Sequence, residues 1–158
     1  MIKSDLVDRK DVADFCDEIR VQNKKIVFTN GCFDILHFGH VTYLAQARAL
    51  GDFLLVGINT DISIRKIKGE KRPIQCESDR AAILLSLKCV DAVSLFAEPT
   101  PLELIHLVKP HILVKGGDWK PSQIVGGDFV TKYGGHVLSL PFVEGHSTTS
   151  ILEKIMKL

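Results

Sequence analysis

Short apolar runs alternate with amphipathic ones along this chain, a pattern that predicts an α/β domain of three layers, α/β/α. Five parallel strands are expected, covered by helices on both faces, with an extra helix at the start. Three observations carry this expectation. From Lys25 onward, strand-like and helix-like stretches alternate without a break. The run Phe53-Leu54-Leu55-Val56-Gly57-Ile58 is almost continuously apolar, as a strand buried on both faces of a parallel sheet must be. A length of 158 residues suits one domain, enough to bury roughly 70% of the surface its unfolded chain exposes.

Between Lys10 and Gln22, the residues Val12, Phe15, Cys16 and Ile19 recur at helical spacing, which predicts an amphipathic opening helix with a packing or subunit-contact role. Residues 1-24 are accordingly read as an N-terminal helical extension and residues 25-158 as the main domain. Lys25 to Asn30 is the first strand. A helix follows from about His40, with Val41, Leu44, Ala45, Ala47 and Leu50 recurring until Gly51 caps it. The strand Phe53–Ile58 ends at Asn59-Thr60-Asp61. Ile62 to Lys71, rich in charge at Arg65, Lys66, Lys68 and Lys71, reads as a solvated loop.

Ser78 is expected to cap a helix through about Lys88, packed by Ala81, Ala82, Leu84, Leu85 and Leu87. Arg80 in its first turn is poorly placed for the helix dipole, so it either faces solvent or answers an anion bound nearby, and the anion is the favoured reading. Asp91 to Phe96 is the third strand, Thr100 to Lys109 a helix with Pro101 in its first turn, and His111 to Val114 the fourth strand. Pro121 to Tyr133 holds two short helical patches around Gly126-Gly127. His136 to Leu140 is the fifth strand, and Ser147-Thr148-Thr149-Ser150 opens a last helix toward Leu158. One hydroxyl is enough to cap that helix; four crowd its start.

The chemistry concentrates in Gly31-Cys32-Phe33-Asp34-Ile35-Leu36-His37-Phe38-Gly39-His40, on a strand-to-helix turn. Free backbone N–H groups and the positive end of the dipole suit such a turn to phosphates, and Gly31 and Gly39 allow close approach. His37 and His40, three residues apart at a helix start, point to one side and could hold oxygens of a single phosphoryl group. In an open parallel sheet, ligands bind outside the carboxyl ends of the strands. The histidine turn, Asn59-Asp61, Lys115-Asp118 and Glu144-Thr149 all follow predicted strands. Two other phosphate-binding designs are absent: no G-x-G-x-x-G follows a strand, and no GxxxxGK[ST] occurs.

Composition narrows the partners. A net charge of +1, from 20 Lys+Arg against 19 Asp+Glu, gives no field for nucleic acid or a membrane surface. No run approaches the ~18 apolar residues of a membrane span, and Met1 to Asp11 lacks a signal-peptide core, so a cytoplasmic protein with a small-molecule substrate is expected. Cys16, Cys32, Cys76 and Cys89 form no CxxC pair or zinc-like spacing, which predicts four reduced thiols.

The ten-residue turn resembles the HxGH signature of the cytidylyltransferase-like nucleotidyltransferases, in the extended form GxFDxxHxGH of the branch acting on small phosphorylated alcohols and sugars. The runs Thr29 to His37, Lys68-Gly69 with Arg72-Pro73, Val114 to Asp118 and Gly145 to Thr149 extend this resemblance over nearly the whole chain from Lys25. They are most similar to the family members that adenylylate D-glycero-β-D-manno-heptose 1-phosphate. The resemblance implies a Rossmann-like nucleotidyltransferase domain over residues 25-158. Its expected reaction moves AMP from ATP, with Mg2+, to that sugar 1-phosphate, giving ADP-heptose and pyrophosphate for lipopolysaccharide core. A homodimer is implied too. With 158 residues there is no room for the kinase fused to this domain in some relatives, so a stand-alone enzyme is expected.

The resemblance also assigns residues. His37, His40, Lys68 and Arg80 are implied to be catalytic, holding phosphates and neutralising charge. Asn30, Gly31, Cys32, Phe33, Gly39, His40, Lys115, Gly116, Asp118, Ser147, Thr148 and Thr149 are implied to bind nucleotide. Asp34, Asn59, Asp61, Lys68, Arg72, Gly117 and Trp119 are implied to bind the sugar phosphate. Asp34 could instead orient the loop or reach a metal, and Trp119 could be ordinary core; the metal ligands are left open. Glycerol-3-phosphate cytidylyltransferase, with the motif Arg-Thr-Glu-Gly-x-Ser-Thr-Thr, is the alternative. There Phe142 stands where the relative has an arginine that contacts nucleotide, which counts against a cytidylyl assignment. A non-catalytic nucleotide sensor is a further alternative.

Overall fold

The computed structural model describes residues 5–158; the first four residues of the expected N-terminal extension lie outside them. The strands are β1 (Asp5–Leu6), β2 (Ile26–Gly31), β3 (Phe53–Asn59), β4 (Ala92–Phe96), β5 (Ile112–Gly116) and β6 (His136–Leu140). They form one sheet in the order β1-β4-β3-β2-β5-β6, every pair parallel. The helices are α1 (Val12–Val21), α2 (Phe38–Arg48), α3 (Asp61–Lys68), α4 (Glu77–Leu85), α5 (Leu102–Val108), α6 (Gly127–Lys132) and α7 (Thr148–Ile155).

Side-chain alternation along the strands sorts the core into two layers. In β2, Ile26 and Phe28 point to one face, where Val12, Cys16 and Ile19 of α1, Leu104, Ile105 and Val108 of α5 and Val130 of α6 cover them. Val27 points to the other, where Tyr43, Leu44 and Ala47 of α2 and Ala81 and Leu84 of α4 close over it. All seven residues of β3 are buried. Among the described residues no helix is long and apolar enough to cross a membrane.

Three expectations need correction. The sheet has six strands, not five, because Asp5–Leu6 pairs with β4 at the edge through Asp5 N–H to the Asp91 carbonyl (3.1 Å) and Val7 N–H to the Val93 carbonyl (2.8 Å). Two residues are too few to show a period, and backbone pairing asks nothing of their side chains. The charged stretch after Asp61 is a helix, not a loop. Thr60 caps it by accepting from Ser63 N–H, Ile64 is buried beneath it, and Gly69 at φ 91 ends it. Finally, α4 starts one residue before Ser78, with Cys76 at the cap position, and ends at Leu85.

From β2 the chain runs outward through β3 to β4, then crosses back to place β5 on the other side of β2 and β6 beyond it. The direction reverses between β2 and β5. Outside the carboxyl ends of these two strands the connections diverge and leave a crevice.

Candidate active site

That crevice is a cleft of about 620 Å³. Its floor is the end of β2 and the turn after it, Asn30, Gly31, Cys32 and Phe33, and its near wall is the start of α2 with His37, Gly39 and His40. Lys115 and Gly116 come from the end of β5, Lys68 from the end of α3, and Ser147, Thr148 and Thr149 from the start of α7. Sites far apart in sequence meet here because two strand ends, one helix end and two helix starts open on one side of the sheet.

His37 is the cap residue of α2, in extended conformation, and His40 is one turn on. Their rings stack with centroids 3.8 Å apart and planes 25° from parallel. The Nδ1 atoms of both are buried without a hydrogen-bond partner among the described residues. Burial pulls the His40 imidazole from the ordinary 6.5 down to about 4, helped by the positive charges of His37 and Lys68. Burial, then the His146 charge, lowers His37 as well. Without an anion beside them both rings favour the neutral form. Burial also pulls Lys115 down from 10.5. An arriving polyanion reverses each of these shifts, since it favours the charged form.

Arg80 does not reach the cleft. Its side chain is fully buried, with Nε donating to the Gln75 carbonyl (3.1 Å), Nη1 to the Cys32 carbonyl (2.7 Å), and Nη2 to the Asn59 carbonyl and the Asp61 carboxylate (both 2.8 Å). It does not face solvent, and its donors are directed to these internal acceptors. Three of its four partners are backbone carbonyls, those of Cys32, Asn59 and Gln75, which no sequence pattern displays.

Other expected residues sit behind the cleft in the same scaffold. Asp34, 3% exposed, accepts from the backbone N–H groups of Ile74 (2.8 Å) and Gln75 (2.9 Å) and pairs with Arg72 at 2.9 Å, which ties the histidine turn to the segment after Lys68. Asn59 bonds Ser63 through its side chain. Asn59 ends β3 and Asp61 follows it, on the side of β2 away from the reversal point, and neither lines the cleft, although Asn59 accepts from the Cys32 thiol of its floor. Gly117, Asp118 and Trp119 lie just past β5, outside the cleft lining. Gly117 holds φ 110 and any side chain there would meet the Phe142 ring at 2.8 Å, so a glycine is required. The indole of Trp119 donates to the Gly116 carbonyl, and Asp118 is exposed.

The cleft also contains Tyr43 and Val143, which the sequence did not single out, and residues named in the sequence without an assigned binding role. Tyr43, three residues after His40 on the same face of α2, donates its hydroxyl to the Val114 carbonyl and bonds Thr29; its place was readable from helical spacing. Phe142, Val143, Glu144, Gly145, His146 and Ser150 complete the far wall. At the start of α7, Ser147 and Ser150 cap each other reciprocally, and the Thr148 hydroxyl donates to the Ile35 carbonyl at 3.3 Å. The Thr149 side chain makes no such bond among the described residues.

A profile of cytidylyltransferase-like proteins matches residues 28–154, from the middle of β2 to the end of α7. The chain belongs to the cytidylyltransferase-like family. It is thus a nucleotidyltransferase-type domain, with the HxGH pair in the place just described. It is 55% identical over 138 residues to the bifunctional protein HldE of Pelobacter propionicus, an alignment covering 87% of this chain and 28% of that protein. It is 56% identical over 135 residues to the HldE of Citrifermentans bemidjiense, covering 85% and 28%. The chain therefore spans under a third of the curated relatives it matches. Among solved structures, a lipopolysaccharide core biosynthesis protein from Thermoplasma volcanium superposes with a TM-score of 0.61 at 31% identity, over 78% of this chain and 99% of that one. A pantoate-β-alanine ligase from Francisella tularensis shares the fold, with a TM-score of 0.63 at 17% identity over 98% of this chain and 79% of that one.

Proposed function

We propose that this domain transfers AMP from ATP to D-glycero-β-D-manno-heptose 1-phosphate, giving ADP-heptose and pyrophosphate for lipopolysaccharide core assembly. The observation that carries the transfer chemistry is the convergence in one cleft of two stacked imidazoles, Lys68, Lys115 and the hydroxyl-rich start of α7. Support for the sugar comes from the likeness to HldE proteins and to a lipopolysaccharide core biosynthesis protein.

In this reading, an oxygen of the sugar phosphate, already anionic at neutral pH, attacks the α-phosphorus in line. The new O–P bond forms as the bridging bond to the β-phosphate breaks, and its electron pair leaves on pyrophosphate. No general base is needed. The chain positions two polyanions and donates to oxygens whose charge grows in the five-coordinate transition state. His37 and His40 hold the α-phosphoryl group, Lys68 and Lys115 balance charge from opposite sides, and Ser147 to Thr149 receive the β- and γ-phosphates at a helix start. Arg80 and Asp34 hold the turn in place from behind.

Magnesium belongs to the substrate in this scheme, as the ATP complex. No group of three or more His, Cys, Asp or Glu side chains among the described residues could cage a metal, and the Asp34 carboxylate is engaged by Ile74, Gln75 and Arg72. Such an ion is typically held through phosphate oxygens and water and shields their charge. A homodimer working in the cytoplasm completes the proposal.

The test is a matrix of ATP, CTP, GTP and UTP against heptose 1-phosphate, glycerol 3-phosphate, phosphocholine and phosphoethanolamine, scored by kcat/KM with magnesium. ATP with heptose 1-phosphate is expected to lead, with large discrimination against glycerol 3-phosphate, because a site built to hydrogen-bond sugar hydroxyls leaves buried groups unpaired around a smaller acceptor. Faster turnover of CTP with glycerol 3-phosphate would move the chain to the cytidylyltransferases, and no turnover in any pair would make it a sensor.

A further inference from the structure

A third imidazole stands beside the stacked pair. His146 lies at the end of the segment joining β6 to α7, immediately before the Ser147 cap, and forms part of the cleft wall. Its ring packs on Phe38 with centroids 5.3 Å apart. Its Cβ lies 3.3 Å from where a Cβ on Gly39 would be, and that same Cβ would be 3.0 Å from Nδ1 of His37. A glycine at position 39 is what lets His37 and His146 close on one spot. Two residues on, the Thr148 hydroxyl fastens the start of α7 to the Ile35 carbonyl, so the placement of His146 over the histidine turn is held from both sides.

Nothing in the packing accounts for a histidine here. The His146 ring is exposed, its neighbour Phe38 is 62% exposed, and no hydrogen bond holds the imidazole among the described residues. Two exposed rings in tilted contact contribute little burial. The other charged and titratable groups lining the cleft are His37 and His40 from the turn and start of α2, Lys68 from the end of α3, Lys115 from the end of β5, Glu144 on its own segment, and the Cys32 thiol and Tyr43 hydroxyl. Cations outnumber the single carboxylate, an environment that suits a polyanion.

We infer that His146 is a third phosphate-binding group of the cleft, donating to the β- and γ-phosphates while His37 and His40 hold the α-phosphoryl group, and taking up a proton from solvent as the triphosphate binds. This rests on the nucleotidyl-transfer reading of the site. An imidazole between two helix starts suits the part of the polyphosphate that must span them. His37 Nδ1 and His146 Cβ lie 3.0 Å and 3.3 Å from one point, the place a Cβ on Gly39 would take, so the two residues border the same space. Near neutral pH, histidine is the side chain whose charge a neighbouring phosphate switches most readily.

Calorimetry with α,β-methylene-ATP and magnesium, run at about pH 6.5 in two buffers of different ionisation enthalpy, measures both affinity and proton uptake. Wild-type protein is expected to take up protons. His146→Asn is expected to bind the analogue about tenfold more weakly, the scale of one charge-assisted hydrogen bond, with less proton uptake and unchanged AMP affinity. His146→Arg is expected to restore affinity without restoring uptake, a separation that a purely structural role does not give. Unchanged affinity and uptake in His146→Asn would overturn the inference while leaving the transferase reading intact. Equal losses for AMP and the analogue would overturn it as well. A wild-type chain that binds no triphosphate would overturn both.

Discussion

At the residue scale, the site separates side chains that face the cleft from those that hold it open. His37 and His40 face it, and replacing either by Ala is expected to slow pyrophosphate release about a hundredfold or more with the circular dichroism spectrum unchanged, the scale of losing one transition-state donor. Near-normal rates in both variants would reduce the stacked pair to packing. Arg80 belongs to the second group. Its guanidinium satisfies three inward-facing carbonyls and Asp61, so Arg80→Met should destabilise the fold by about 3 kcal/mol in urea unfolding by leaving those oxygens buried and unpaired. If stability held while ATP affinity collapsed, direct contact with phosphate would be the better account. The sequence showed that Arg80 was out of place at a helix start; it could not show the carbonyls that explain it. Likewise Asp34 was legible as part of the motif, whereas its partners, the amides of Ile74 and Gln75, lie forty residues away and carry no side-chain signal.

At the element scale, the start of α7 does two things. Ser147 and Ser150 close the first turn on each other, and Thr148 pins that turn to the loop before α2. Thr148→Val keeps the shape and removes the hydroxyl, so triphosphate affinity is expected to fall while unfolding free energy moves by no more than about 1 kcal/mol, the usual size of one exposed hydrogen bond. Lost stability with unchanged affinity would leave only the structural pin. The elements themselves were mostly readable. Buried strands of a parallel sheet are apolar throughout, and helices between them keep an apolar stripe, so five strands and the helices around them follow from pattern. What escaped was short or masked: β1 pairs through two residues of backbone, and α3 hides Ile64 among Arg65, Lys66 and Lys68. A cap at Thr60 and a stop at Gly69 were the local signs of that helix.

At the scale of the whole molecule, the cleft leaves a mark on stability against pH. The fold holds His40 near 4, and His37 and His111 also below their ordinary 6.5, so over this range the unfolded chain binds more protons than the native one. Stability from these groups is present above 6.5 and is lost as pH falls toward 4. Urea midpoints at pH 7 and pH 5 should show that loss, and His40→Asn should show less of it; an equal loss in the variant would mean that other groups set the acid limit. Magnesium ATP should protect the wild-type fold in the same window by favouring the imidazolium forms. By itself the sequence determined the α/β layering, the succession of five strands along the chain, the histidine turn and the family resemblance, because each is written in local period or in a contiguous motif. Only the tertiary structure decided which charged residues face the cleft. Strand order places β5 beside β2 and carries the end of β3 to the far side, so Lys115 enters the cleft while Asn59 and Asp61 turn to Ser63 and Arg80 behind it. That choice depends on long-range pairing of backbone, and a side chain's own identity does not encode it.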